Sequence, residues 1–412
     1  MSTHKKMNPL KLLHVIGDSC FGGAGRIILR LGQVAKAEGW QVDVLTTDPV
    51  FQRAVRLHGL GLVNMDVVRR EIRPVWDLAG LVRLSNFLRR EHYGIVHTHT
   101  SKGGFVGRLA ARLAGVPVIV HTAHGFAFHE RSPHSALLFY SALERIASQW
   151  CDRIVSVSEF HRRWALELRI CGSPKILAIP NGIAALANPE VPRAELRRQL
   201  GVRNGDLLIL SMARLAPDKG LEYLIQAAAI LLRTERRFQI VIAGDGPLRA
   251  RLEELAHTLG VADWVTFLGF REDISDLLAA SDLVVLPSLR EGLSIALLEA
   301  MAAGKPIVAT SIGSHRELAF QAEIARLVPP ADAPALCEAI LQLAPDAKLM
   351  ARLGMNAQTL FASQYTEEKM LSTYKQLYFD LLREKCPIEA SGIGLRNDLK
   401  RPAGSLASVA KR

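Results

Sequence analysis

The sequence predicts an α/β protein made of two Rossmann-like domains, and three observations carry that prediction. Residues 283–310, LVVLPSLREGLSIALLEAMAAGKPIVAT, read as strand, helix and strand. The apolar run 283–286 is short enough for a buried strand and is closed by Pro287. The helix carries Leu297, Leu298 and Met301 on one face and stops at Gly304 and Pro306. Residues 12–38 likewise read as strand, glycine loop and helix. Finally, 412 residues suffice for two ordinary domains, and the second half repeats the pattern of the first.

Taken in order, residues 12–16 form the first strand, and GDSCFGGAG (17–25) leads to a helix over 26–38. This loop does not spell the dinucleotide fingerprint, which argues against a nicotinamide cofactor. On its own residues, the Gly22–Gly23 pair is read equally well as a tight turn or as a ligand contact. Further strands fall at 42–46, 95–100, 116–122 and 154–159. A helix over 77–91 closes an arginine-rich stretch. Residues 176–183 end in the turn Pro180-Asn181-Gly182. The expected domains are 1–182 and 204–365, joined by a linker over 183–203 that carries two prolines. In the second half, strands are expected at 207–211, 240–243 and 265–270, with helices over 221–233 and from 313. A last helix, 366–384, precedes a basic, glycine-containing tail over 385–412 that reads as disordered.

Glu291 and Glu299 stand at the mouth of the 295-region helix and further along it. If the whole span were helical they would lie roughly 12 Å apart, about the length of a sugar-diphosphate-ribose unit. The amides of Leu293 and Ser294 at the helix start suit a diphosphate, and Gly292 leaves room for a ligand to approach the backbone. A plain helix cap and a solvated glutamate explain the same two residues. Arg214 and Lys219 flank a turn at a strand's carboxyl end, before another helix. The helix dipole disfavours cations there, so an anion between them is the better account. His124 follows a buried strand and precedes Gly125, a place where a histidine meets either a ligand or its own loop. The pair His97-x-His99 invites a zinc reading, but no Asp, Glu or Cys nearby completes a tetrahedral set, so no metal is expected.

Composition narrows the field. With 49% hydrophobic and 22% charged residues the chain is globular rather than disordered. No apolar run reaches the roughly 18 residues of a membrane span, and residues 10–16 do not make a secretory leader. Five scattered cysteines without metal spacing suit reduced thiols in a cytoplasmic protein. Residues 1–182 hold 24 Lys and Arg against 13 Asp and Glu, so they carry all of the +11 net charge. The remainder is balanced. A basic half implies an anionic partner, whether a phosphorylated substrate, a lipid surface or nucleic acid. Aromatic residues make up 6%, and no nucleic-acid-binding motif is present, which argues against nucleic acid.

The motif E-G-L-S-I-A-L-L-E (291–299), flanked by Pro-Ser and by E-A-M-A-A-G-K-P-I-V-A-T, resembles the Glu-x7-Glu motif of retaining glycosyltransferase family 4. Further matches run from about residue 11 to about 380: the H-x-H strand, S-K-x-G-x-x-G-R, A-H-G-F and R-x-x-x-x-K-G. The resemblance implies the GT-B fold, two Rossmann-like domains facing across a cleft, with the last helix crossing back to the first domain. It implies that Arg214 and Lys219 hold the donor diphosphate, that Glu291 contacts the donor sugar and Glu299 the ribose. By the same resemblance His124 lies by the sugar and phosphate, Gly22 and Gly23 line the cleft, and the backbone near Phe270 meets the base. No cofactor is implied. The chemistry implied is retaining transfer of a hexosyl or N-acetylhexosaminyl group, UDP-linked, to a glycan or polyprenyl-diphosphate-linked acceptor. The enzyme would be cytoplasmic and peripheral on an anionic inner membrane face. Two alternatives remain: a nucleotide-sugar epimerase of the same fold, and a non-catalytic basic protein that binds membrane or nucleic acid. The sequence departs from the family at Ala184, where an Asp is usual, and at Ser314-His315-Arg316.

Overall fold

A computed structural model describes residues 9–17, 21–68, 73–234 and 237–386. The tail expected from 385 onward therefore lies, beyond Cys386, outside the described residues, as do Asp18, Ser19 and Cys20 of the glycine loop. The first half forms a parallel sheet from β1 (Lys11–Gly17), β2 (Gln41–Thr46), β3 (Gly61–Val63), β4 (Ile95–His99), β5 (Val118–Ala123), β6 (Arg153–Ser156) and β7 (Ile176–Ala178). Helices α1 (Gly23–Ala37), α2 (Pro49–Leu57), α3 (Pro74–Glu91), α4 (Ser101–Ala114), α5 (His134–Ser148) and α6 (Glu159–Glu167) connect them. The strand order is β3-β2-β1-β4-β5-β6-β7, so the winding reverses between β1 and β4. Near-continuous apolar runs suit strands covered on both faces. Period-two alternation then sorts the residues. Leu12, Ile16, Ile95 and Val120 meet α1, while Leu13, Val15, Val96 and Ile119 belong to the opposite cluster.

The second sheet comprises β8 (Leu207–Met212), β9 (Phe238–Ala243), β10 (Val265–Gly269), β11 (Leu283–Leu286), β12 (Ile307–Thr310) and β13 (Arg326–Val328), ordered β10-β9-β8-β11-β12-β13. The connecting helices, in chain order, begin with α7 (Arg193–Gln199), which precedes β8. They continue with α8 (Leu221–Leu231), α9 (Arg249–Thr258), α10 (Ile274–Ala280), α11 (Ile295–Ala302), α12 (Gly313–Gln321), α13 (Ala333–Leu343) and α14 (Ala347–Gln364). Again the winding reverses beside the first strand, between β8 and β11. Ligands of doubly wound sheets bind at such points, outside the carboxyl ends of the strands.

A third of the stretch expected as linker is helix. In α7, Leu196 is buried against the second domain, while Arg193 and Arg197 both bind Asp282. Carboxylate pairing explains why a polar, proline-bearing segment is helical here. The last helix, α15 (Glu367–Lys385), returns to the first domain, where Met370, Tyr374, Tyr378, Leu381 and Leu382 complete the core beside β1 and β4. Tyr378 bonds His97 at 2.6 Å and Tyr374 bonds Thr122 at 3.0 Å. Residues 1–182 alone would lack that covering.

Candidate active site

All eleven residues singled out in the sequence line one cleft between the two sheets, with a volume of about 2190 Å³. They are Gly22, Gly23, His124, Arg214, Lys219, Phe270, Glu291, Gly292, Leu293, Ser294 and Glu299. A pocket for one drug-sized ligand is about 300–1,000 Å³, so this cleft has room for two substrates.

Three loops carry the expected residues of the second-domain wall. Residues after β8 carry Arg214, and a short 3-10 turn, Pro217–Lys219, places Lys219 before α8. Phe270 follows β10 and is 62% exposed at the cleft rim. Helix α11 begins only at Ile295, so Glu291 sits in the preceding loop and the fully helical spacing of the two glutamates does not apply. The reason is local: Ser294 is the N-cap, its hydroxyl accepting the Leu297 N–H at 3.3 Å, and Gly292 precedes it. The Leu293 side chain is buried and its carbonyl accepts from Asn181 of the hinge turn at 3.1 Å. The Leu293 and Ser294 N–H groups have no partner among the described residues, which leaves them for an anion at the positive end of α11.

The charged groups are already paired. Lys219 Nζ lies 2.6 Å from Glu291 Oε1, which also accepts from Ser288 Oγ at 2.9 Å. Arg214 is held loosely by Asp218 at 3.7 Å and remains more exposed. Glu299 lies 3.4 Å from Arg26 of α1, across the cleft. Burial raises the Glu299 pKa, against the opposing pull of Arg26. His124 is held to about pH 4 by burial, so it is neutral near pH 7.

The domains meet directly at this site. A Cβ on Gly292 would lie 2.0 Å from the His124 carbonyl oxygen, and one on Gly23 would lie 2.9 Å from Ile295. The missing side chain at 292 thus admits the opposite domain's loop, where the sequence suggested only room for a ligand. Sequence reasoning missed several participants. Glu130 accepts from the Gly313 N–H at 3.0 Å and pairs with Arg316. Glu317 accepts the N–H groups of Glu159 and Phe160 at 3.0 and 2.6 Å, filling the open N-terminus of α6 from the other domain. Departure from the family at 314–316 therefore falls on the domain contact. Arg26 and Ser288 carried no signal beyond their positions near glycine and proline.

The two glutamates face different parts of the cleft, so their variants should differ. If the roles that the resemblance implies hold, Glu299→Gln is expected mainly to weaken nucleotide affinity, and Glu291→Gln, which loosens Lys219, mainly to lower kcat. Titration calorimetry beside steady-state kinetics checks this; matching defects in both variants would contradict the assignment.

Comparison with known proteins agrees with this geometry. Residues 21–185 match the family "Glycosyltransferase Family 4", and residues 192–360 match "Glycosyl transferases group 1". An Escherichia coli protein named UDP-Gal:alpha-D-GlcNAc-diphosphoundecaprenol alpha-1,3-galactosyltransferase is 29% identical over 389 residues, covering 93% of this chain and 100% of its own. The alpha-D-kanosaminyltransferase of Streptomyces kanamyceticus is 33% identical over 306 residues, covering 70% and 78%. Among solved structures, Anabaena Alr3699/HepE in complex with UDP and glucose superposes with a TM-score of 0.76 at 22% identity, covering 90% of this chain and 100% of that one. Two parallel sheets facing across such a cleft are the GT-B fold. The chain belongs to this family: it is a GT-B glycosyltransferase.

Proposed function

We propose that the protein is a retaining transferase that moves a hexosyl or N-acetylhexosaminyl group from a UDP-linked donor to a glycan carried on a polyprenyl diphosphate. The observation that carries this reading is the convergence of Arg214, Lys219, the open amides at the start of α11 and His124 on one cleft. The bond from the anomeric carbon to the diphosphate oxygen breaks, and a bond to the acceptor oxygen forms. The acceptor's proton passes to the leaving diphosphate. Negative charge grows on that diphosphate, where fixed cations and helix amides stabilise it without reorganising. Glu291 is engaged by Lys219, and Glu299 faces Arg26, so neither carboxylate is free to act as the nucleophile of a double displacement. The names of the Escherichia coli relative's donor and acceptor favour UDP and a lipid diphosphate.

In this reading the enzyme works at the inner face of an anionic membrane. No helix among the described residues is long and apolar enough to cross a membrane. The first domain's positive charge is joined by exposed apolar side chains on two helices. Val75, Leu78 and Val82 share one face of α3, and Leu138, Phe139 and Ile146 project from α5. Two of these, Leu78 and Phe139, line the cleft. Basic groups near an anionic surface contribute about 1 kcal/mol each, enough for reversible docking by a handful.

The test has two arms. Thermal stabilisation by a panel of nucleotide sugars identifies the donor, after which a polyprenyl-diphosphate sugar is supplied and the product is weighed by mass spectrometry. UDP sugars should stabilise, and one sugar should be added to the acceptor with its anomeric configuration kept. Interconversion of the nucleotide sugar without acceptor consumption would instead identify an epimerase. In flotation, the full chain should need anionic lipid and be released by salt. Equal recovery on neutral vesicles would sink the membrane reading.

A further inference from the structure

The first domain contains a chain of three imidazoles to which the sugar-transfer steps assign no role beyond His124. His14 Nδ1 lies 3.0 Å from His99 Nε2, and His99 Nδ1 lies 3.1 Å from His124 Nε2. His14 on β1 is paired in register with His97 on β4, and His99 follows two residues later on the same face of the sheet. His14 and His99 are fully buried. His124 lines the cleft, and its Nδ1 has no partner among the described residues. Burial lowers all three: His14 to about 3, His124 to about 4, and His99 well below its usual value, helped by its histidine neighbours. All are neutral near pH 7.

A neutral imidazole has one N–H and one lone pair. His99 has both nitrogens engaged with other rings, so it donates at one and accepts at the other. Only two arrangements of the chain satisfy this. Pointing inward, the chain puts an N–H on His14 Nε2, which is buried without a partner. Pointing outward, it leaves only a lone pair there. A buried N–H left with no acceptor at all is rare in folded proteins, and the outward arrangement avoids one. The outward arrangement wins. His14 donates to His99, His99 donates to His124 Nε2, and His124 keeps its proton on Nδ1, facing the cleft.

A metal ion is the competing account, since ligand atoms of His14, His97 and His99 lie within 4.8 Å of one another. Sequence reasoning overlooked His14 as a third nitrogen. Yet His97 spends both nitrogens, on Tyr378 at 2.6 Å and on Thr122 at 2.8 Å, and His99 spends both on histidines. His14 Nε2 is the one unfilled nitrogen of the three, too few for an ion without breaking these bonds.

We propose that His99, supported by His14, is a positioning residue that fixes His124 as a neutral N–H donor toward the cleft. This rests on reading the cleft as a nucleotide-sugar site. His124 then recognises an oxygen that accepts, a sugar hydroxyl or a phosphate oxygen of the donor. It is not the base that takes the acceptor's proton. A free lone pair at Nδ1 would require the whole chain to reverse and strand an N–H at His14.

Proton-nitrogen correlation spectra of the full chain with 15N-labelled histidine read the tautomer directly, with His124→Gln used to assign the signal. His124 should show a protonated Nδ1 and a bare Nε2, without any donor present. In His99→Gln the side-chain amide can still donate to His124, so tautomer and turnover should be retained. In His99→Leu the tautomers should mix, and kcat should fall roughly tenfold to a hundredfold as an aimed donor is lost, with a smaller change in KM. Should His99→Leu fail to fold, the native spectrum still decides. Protonation of Nε2 in the native protein, or an unchanged tautomer in a folded His99→Leu, would overturn the proposal. An Nδ1–H signal that no nucleotide sugar perturbs would leave the histidine chain standing and sink the donor site instead.

Discussion

Lys219→Ala is expected to lower kcat/KM for sugar transfer by about 2–4 kcal/mol, or roughly 30- to 1000-fold, and Arg214→Ala by a similar amount. On the proposed reading, each removes a fixed cation from the place where diphosphate charge develops. Lys219 is the more entangled of the two, because its ammonium lies 2.6 Å from Glu291 Oε1 and both side chains are largely shielded. Its loss leaves the Glu291 carboxylate with Ser288 as its remaining partner, adding repulsion toward an incoming diphosphate. Lys219→Ala combined with Glu291→Gln should therefore cost less than the sum of the two single changes. Circular dichroism should be unchanged, since both cations stand on loops at strand ends. Near-normal turnover in Arg214→Ala and Lys219→Ala would remove both from the site.

Local pattern carried much of this architecture. The long apolar strands and the helices that follow them are visible because their period shows within a window of a few residues. Short strands are not: β3 and β13 have three residues each, too few to show a period. Helix α7 was hidden because its amphipathic signal is one buried leucine and a pair of arginines that need Asp282, far away in sequence. The start of α1 at Gly23 rather than Arg26 goes with the packing of Gly23 against Ile295 of the other domain, a context that local propensity does not contain. In the cleft, the residues at strand ends were legible because the doubly wound topology sends strand ends to one edge. Long-range pairing was not. Glu130 with Arg316, Glu317 with the α6 amides, and His14 with His99 are contacts across large sequence separations. Their residue types, taken alone, are those of ordinary surface charges and strand histidines.

The same buried histidines should make the first domain acid-labile well before its carboxylates protonate. His14, His97, His99 and His121 are each no more than 2% exposed. Burial moves each of them down, His14 to about 3 and the others well below the usual value, with neighbouring charges adding to the shift in His97, His99 and His121. In the unfolded chain these rings take up protons near pH 6.5. In the folded domain they stay neutral, so below pH 6.5 the unfolded state binds protons that the native state does not. Stability then falls as pH falls. Between pH 6.5 and 5.5 each such ring costs about 1 kcal/mol, and His124 and His161, both held to about 4 by burial, join these four, so six rings cost about 6 kcal/mol, against a typical domain stability of about 5–15 kcal/mol. Calorimetry from pH 7.5 to 5.0 should show the transition of the first domain moving down steeply below pH 6.5. The second domain provides the internal control, because among its described residues His315 is the buried histidine held neutral. Its transition should move much less. His97→Gln, which keeps hydrogen-bonding capacity without a titrating ring, should flatten the slope of the first transition by roughly a sixth, one ring in six. A first transition that holds its midpoint from pH 6.5 to 5.0 would show that these rings take up protons in the native state, and the neutral chain from His14 to the cleft would fall with it.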